Sequence, residues 1–266
     1  TNMDTLAIPS VGGVDTTALI VGDFSNGNDA LILKDADSLD AVLGQNVNLV
    51  ELSVSHYLLA RALETLGKAE KDVAVVNTSD ADMIAAYQTD DVTAVVTWNP
   101  LVAEILEIPG ANKVFDSSDI PGEIMDLTVV NTETLADNPA FGKALAGAWY
   151  ETMSIMLSDT PEGAAARAAM GEASGTDLAG YDMQLASTQM FATASDAVTF
   201  TTSESVTSTM ESVRTFLFER GLLGDGASSP DIVGIAFPDG SVLGDEGNVK
   251  FRFNADYMSM AADGSL

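Results

Sequence analysis

The stretch Asn46-Val47-Asn48-Leu49-Val50-Glu51-Leu52 runs straight into Ser53-Val54-Ser55-His56-Tyr57-Leu58-Leu59, and this junction sets the fold class. The first part is an apolar run of strand length. The second opens on hydroxyl residues able to cap a helix. It then places apolar side chains at Leu58, Leu59, Ala62 and Leu66, which predicts a helix over roughly Ser55 to Gly67. The alternation extends outward in both directions. Upstream, Thr17-Ala18-Leu19-Ile20-Val21 and Ala30-Leu31-Ile32-Leu33 read as buried strands. Downstream come a strand over 72–77, a helix over 79–87, a strand over 92–97, a helix over 100–106, and strands at 114–115 and 126–130. This βαβαβ rhythm with nearly continuous apolar strands predicts an α/β fold with a covered parallel sheet.

The second half reads differently. From Asn138 to about Arg220 the pattern is mostly helical, and from Asp225 the chain reads as loop, rich in Gly, Ser, Asp and Pro. One extended piece enters the α/β segment at 30–34 and one leaves it at 126–131, as in a two-lobed protein with two crossings.

Composition removes several functions. The 266 residues hold 40 acidic and 11 basic side chains, a net charge of −29. A chain so poor in Lys and Arg lacks the basic face that nucleic acid or anionic lipid requires. No apolar run reaches the ~18 residues of a membrane span. With no Cys and one His, thiolate metal sites, Cys nucleophiles and His-rich metal centres are excluded. The acids are spread along the chain, the pattern of a solvated surface suited to a saline setting. The chain starts at Thr1 without a leader pattern, and so reads as a processed protein or a fragment.

Three places could carry chemistry. Glu51 to His56 lies between a strand and a helix, where ligands of open α/β sheets bind. Ser53 and Ser55 either cap the helix or offer hydroxyls to a ligand, and His56 serves either structure or chemistry. Thr97-Trp98-Asn99-Pro100 is the next strand end; Trp98 is either core or a stacking face for a planar or cationic ligand. Ile120 to Asp126 sets Glu123 and Asp126 beside a turn, and the polar turn from Asp23 through Asn26 to Asp29 precedes the first crossing. No nucleophile elbow, zincin, phosphate-loop or dinucleotide motif is present.

The runs Asn48 to Leu59 and Thr97 to Pro100 resemble the nitrate/sulfonate/taurine class of ABC-transporter substrate-binding proteins. They are most similar to the subgroup linked to urea carboxylase and guanidine use. Further stretches extend the resemblance over nearly the whole chain: Thr1 to Asp4, Gly22 to Asn28, Val76 to Met83, Ile120 to Glu123, Ala173 to Tyr181 and Val233 to Gly240.

The resemblance implies a type II periplasmic-binding-protein fold. One lobe would comprise 1–32 and 127–266 and the other 33–126, with the first lobe incomplete and beginning at a strand that carries Met3-Asp4. It implies ligand contacts at Asp4, Asp23, Asn26, Glu51, Ser53, Ser55, His56, Trp98, Asn99, Glu123 and Asp126. It also implies a periplasmic, monomeric, non-catalytic protein without cofactor or metal, whose partner is an ABC permease.

Carboxylates at Glu51 and Glu123, where sulfonate binders would place basic help, favour guanidinium first and urea or a short amine second. The alternative is a taurine-, sulfonate- or nitrate-type anion. A thiamin-pyrimidine-synthase-like enzyme of the same superfamily would need the Cys-rich motif this chain lacks.

Overall fold

The computed structural model describes residues 1–266, and the chain divides into two compact units: Thr1–Phe24 with Gly122–Leu266, and Ser25–Pro121. In chain order the elements are α1 Asn2–Gly12, β1 Thr16–Ser25, β2 Asp29–Lys34, β3 Asn46–Leu49, α2 Val54–Thr65, β4 Ala74–Asn77, α3 Asp80–Tyr87, β5 Ala94–Trp98, α4 Leu101–Leu106 and β6 Ala111–Asp116. They continue with β7 Met125–Asn131, α5 Thr132–Asp137, α6 Pro139–Met156, α7 Pro161–Ala173, α8 Leu178–Ala186, β8 Thr188–Met190, α9 Ala194–Thr201, α10 Glu204–Glu219, β9 Gly234–Ala236, β10 Val242–Leu243, β11 Val249–Phe253 and α11 Asp256–Asp263. No helix is long and apolar enough to cross a membrane.

The unit Ser25–Pro121 is built on a five-stranded sheet of order β4-β3-β5-β2-β6. β3 runs parallel to β4 and β5, whereas β2 runs antiparallel to β5 and β6. The sheet is therefore mixed, not parallel as the βαβ rhythm suggests. The strands joined through α2 and α3 keep one direction; β2 enters from outside that series and lies in the opposite one.

Side chains alternate between the two faces of each strand. On one face Ala30, Ile32 and Val95 pack with Met83 and Tyr87 of α3 and with Val102 and Ile105 of α4. Leu31 and Leu33 turn to the other face and are equally buried. Each buried Leu or Ile contributes about 1.5–3 kcal/mol relative to exposure. α2 packs against β2 and β5 through the apolar stripe that holds Leu58, Leu59 and Ala62. It ends where Gly67, at φ +66°, takes the left-handed turn that lets Lys68 N–H bond the Leu63 carbonyl at 2.9 Å.

The other unit is built on a six-stranded sheet, β10-β9-β11-β1-β7 with β8 also paired to β1. Two expectations fail here. Met3 and Asp4 lie in α1, a helix with Pro9 inside it, not in a strand. α1 buries Met3 and Leu6 and packs on α10, β11 and β7, so tertiary burial decides its conformation. The tail is not loop: β9, β10, β11 and α11 all follow Asp225, and Phe251 of β11 is fully buried. β11 pairs in parallel with β1, far away in sequence, which is where so short a strand obtains its stability.

Candidate functional site

In the unit Ser25–Pro121, the parallel direction of β3, β4 and β5 brings their carboxyl ends to one edge of the sheet. Glu51 to Ser55, Thr78 and Trp98-Asn99 follow those ends. Side chains knit this edge together. Asn48 Nδ2 donates to Thr78 Oγ1 at 2.9 Å, and Glu51 N–H donates to Asn77 Oδ1 at 3.0 Å. The Glu51 side chain is exposed, and Glu51 and Leu52 form a turn instead of extending the strand. Leu52 takes a left-handed φ of +64°, uncommon for a residue with a branched side chain. Its N–H donates to His56 Nδ1 at 3.1 Å, which fixes the turn.

Ser53 caps α2. Its Oγ accepts the Ser55 N–H at 3.1 Å and donates to the Val50 carbonyl at 2.7 Å. Ser55 is fully buried and its Oγ has no hydrogen-bond partner. The first turn of α2 carries no acidic residue to compete for the positive end of the helix dipole. His56, 1% exposed, is engaged on both ring nitrogens: Nδ1 accepts from Leu52, and Nε2 lies 2.8 Å from Glu70 Oε2. An accepting Nδ1 places the proton on Nε2, facing the carboxylate.

Trp98 is half-buried at the end of β5. Asn99 Oδ1 accepts the Ala103 N–H at 3.1 Å and so helps start α4. Thr97, behind Trp98, is fully buried with Oγ1 unpartnered. Asn26 is half-buried in the turn before β2. That turn is held by a buried network absent from the sequence reading. Ser25 Oγ bonds Asp29 Oδ2 and Ser117 Oγ, both at 2.6 Å, and Gly27 N–H donates to Ser117 Oγ at 2.7 Å. The only sequence signal for it was the cluster of short polar residues in 23–29.

The unit Thr1–Phe24 with Gly122–Leu266 holds the other four candidates. Asp4 is exposed in the first turn of α1 and accepts from Thr1 Oγ1 at 2.9 Å, a capping arrangement. The Glu123 carbonyl accepts Asn2 Nδ2 at 3.0 Å. Asp23 and Asp126 are brought together as direct partners across β1 and β7. Asp23 is 7% exposed, whereas Asp126 is exposed. Burial first, then the Asp126 charge and hydrogen bond, push the Asp23 carboxyl up to about 7. Trp149, which the sequence reading did not single out, lies against Gly22: a Cβ there would stand 2.7 Å from Trp149 Cζ2. No cluster of His, Cys, Asp or Glu could hold a metal ion.

No protein-family model matches the chain. The taurine-binding periplasmic protein of Escherichia coli (strain K12) is 27% identical over 146 residues, 53% of this chain and 45% of that protein. The chain thus spans about half the length of the curated relative it matches. The periplasmic aliphatic sulphonate binding protein SsuA from Escherichia coli superposes with a TM-score of 0.67 at 18% identity, covering 84% of this chain and 73% of that one. The desulfurization enzyme DSZB superposes at 0.51 with 15% identity, over 76% of this chain and 72% of that one. At these identities the structures share a fold, and the fold of this chain is periplasmic-binding-protein-like α/β.

Proposed function

We propose that this chain is the extracytoplasmic solute-binding component of an ABC importer, handing a small polar solute to a membrane permease. The observation that carries this reading is the carboxyl edge of β3, β4 and β5. There the first turn of α2 carries no acidic residue, and the buried Ser55 hydroxyl has no protein partner. A helix start with a spare hydroxyl suits a solute that presents acceptor oxygens, such as a sulfonate or nitrate. The likeness to a taurine-binding protein supports the same class. The engagement of His56 on both nitrogens supports binding over catalysis, because the single imidazole of the chain is committed to structure.

A second ligand reading, guanidinium or a urea-like compound, is favoured by a different observation: the paired carboxyls of Asp23 and Asp126. Thermal shift and calorimetry with taurine, nitrate, guanidinium and urea at fixed ionic strength separate the readings. Taurine carries both charges, nitrate the negative one alone and guanidinium the positive one alone. A response to taurine and nitrate supports the oxyanion reading, and a response to guanidinium or urea alone supports the second. No response to any of the four would sink the solute-binding proposal.

A further inference from the structure

Arg252 of β11 is the cation of a cavity that the solute-binding reading does not use. β11 runs parallel to β1 with Arg252 opposite Thr17, and residues paired across neighbouring strands share a face of the sheet. Asp15 holds the guanidinium from one side: its Oδ2 accepts from Arg252 Nη2 at 2.5 Å, and its Oδ1 accepts the Thr132 hydroxyl at 2.7 Å. This anchors the head without exhausting it. Nε is buried without a hydrogen-bond partner, while the side chain as a whole is 29% exposed and so within reach of a ligand. A guanidinium carries five N–H donors and no acceptor, so this one has donors to spare.

The cavity that Arg252 lines has a volume of about 290 Å³. That is the small end of the range for ligand pockets, ~300–1,000 Å³. Its apolar wall comes from Leu135 of α5, Pro139 at the start of α6 and Met260 of α11. Gly142 of α6 lets this wall close in: a Cβ there would lie 2.6 Å from Tyr257 Cε1 and 2.7 Å from Leu135 Cδ1. The second charged group of the lining is Asp256, exposed at the first position of α11. Its Oδ2 accepts from Asn254 Nδ2 at 3.1 Å, which orients the carboxylate.

Charge selects the ligand. Asp15 neutralises Arg252, and Asp256 adds a negative charge, in a chain that already carries −29. A plain anion meets that balance as repulsion, and a plain cation makes no use of the guanidinium. A zwitterion adds no net charge and offers one pole to each side chain. We propose that this cavity binds a zwitterionic amino acid with an apolar side chain, its carboxylate on Arg252, its ammonium on Asp256 and its side chain against Leu135, Pro139 and Met260. The site shares no residue with the carboxyl edge of β3, β4 and β5 and stands whether or not that edge takes an oxyanion.

L-Leucine, isocaproate and isoamylamine share one apolar skeleton and differ in charge, so together they test the assignment. Calorimetry on the full chain should show L-leucine binding, with each of the other two weaker by at least about tenfold. Asp256→Asn keeps an oxygen for Asn254 Nδ2, so its melting temperature should match the parent's. It should weaken L-leucine about tenfold and leave isocaproate unchanged or tighter. Arg252→Gln should abolish the binding of both; should that variant unfold for want of the Asp15 partner, Asp256→Asn carries the test.

No heat with millimolar L-leucine, L-leucine no tighter than isocaproate, or parental L-leucine affinity in Asp256→Asn overturns the assignment. Ser55→Ala distinguishes this cavity from the carboxyl edge. L-Leucine affinity should be the same in that variant as in the parent. A loss there, with none in Asp256→Asn, would put the amino acid at the edge and remove the cavity site, leaving the solute-binding reading standing.

Discussion

His56 Nε2 lies 2.8 Å from Glu70 Oε2, while Nδ1 of the same ring accepts the Leu52 N–H at 3.1 Å. The ring is thus a strut between the left-handed turn at Leu52 and the segment that follows α2. Removing it empties the buried ring position and takes a hydrogen-bond partner from the Leu52 N–H and from the partly exposed Glu70 carboxylate. His56→Ala should lower unfolding stability by about 1–3 kcal/mol, read from urea denaturation with an unchanged slope. A variant as stable as the parent would show that the turn does not depend on the ring.

Gly22 is constrained by close approach, not by its backbone angle. A Cβ would lie 2.7 Å from Trp149 Cζ2 and 3.1 Å from Cη2. Gly22→Ala should therefore destabilise by about 1–3 kcal/mol through overpacking. Adding Trp149→Leu should recover part of that loss. A double variant whose cost equals the sum of the two single changes would mean that the indole is not the obstruction.

Ser55 separates stability from binding. Its buried, unpartnered hydroxyl contributes nothing to the free protein, so Ser55→Ala should leave the melting temperature within about 2 °C of the parent or slightly above it. If the hydroxyl serves an oxyanion, taurine affinity should fall by more than about tenfold, the effect of about 1.4 kcal/mol. Glu51→Gln adds a sign: it should strengthen an anion and weaken a cation, since an exposed carboxylate is removed beside the start of α2. Calorimetry on both variants decides it, and unchanged taurine affinity in both would move the binding site elsewhere.

What could be read from the sequence follows from how local each signal is. β1, β2, β3 and α2 were legible because their apolar runs and the Ser53 cap are complete within a dozen residues. α1 was not, because Leu6-Ala7-Ile8-Pro9 carries strand-like residues and a helix-breaking Pro, and its packing on α10 and β11 overrides both. β9 to β11 were missed because short strands in a Gly- and Asp-rich tail owe their existence to pairing with β1. At the candidate site, Ser53, Ser55 and Trp98 could be located from strand-end position alone. The pairing of Asp23 with Asp126 and the contact of Trp149 with Gly22 depend on sheet register and helix docking between distant segments, which no local pattern encodes.

The charge of −29 makes salt a stability variable. Repulsion among exposed carboxylates is screened as ionic strength rises, so the melting temperature should climb between roughly 0.05 and 2 M NaCl, most steeply at the low end. A flat profile would mean that the ion pairs present, such as Arg167 with Asp182 and Arg214 with Glu211, already balance the field locally.

Asp23 gives the chain an acid-side stability term of unusual sign. Its carboxyl titrates at about 7 in the folded protein against 3.8 ordinarily, raised by burial and by Asp126. Between those values the folded chain binds more protons than the unfolded one, so this group's contribution falls as pH rises from about 4 to 7. It is fully favourable below about 4 and fully unfavourable above 7. The span corresponds to on the order of 4 kcal/mol at most. The other carboxylates contribute their own slopes, which cancel when two chains differing only at position 23 are compared. Asp23→Asn should therefore gain stability relative to the parent progressively from pH 4 to 7, and the difference should stay constant from pH 7 to 8.5. Denaturant titrations across that range measure it directly, and a difference independent of pH would mean that Asp23 is ionised throughout and holds no proton with Asp126.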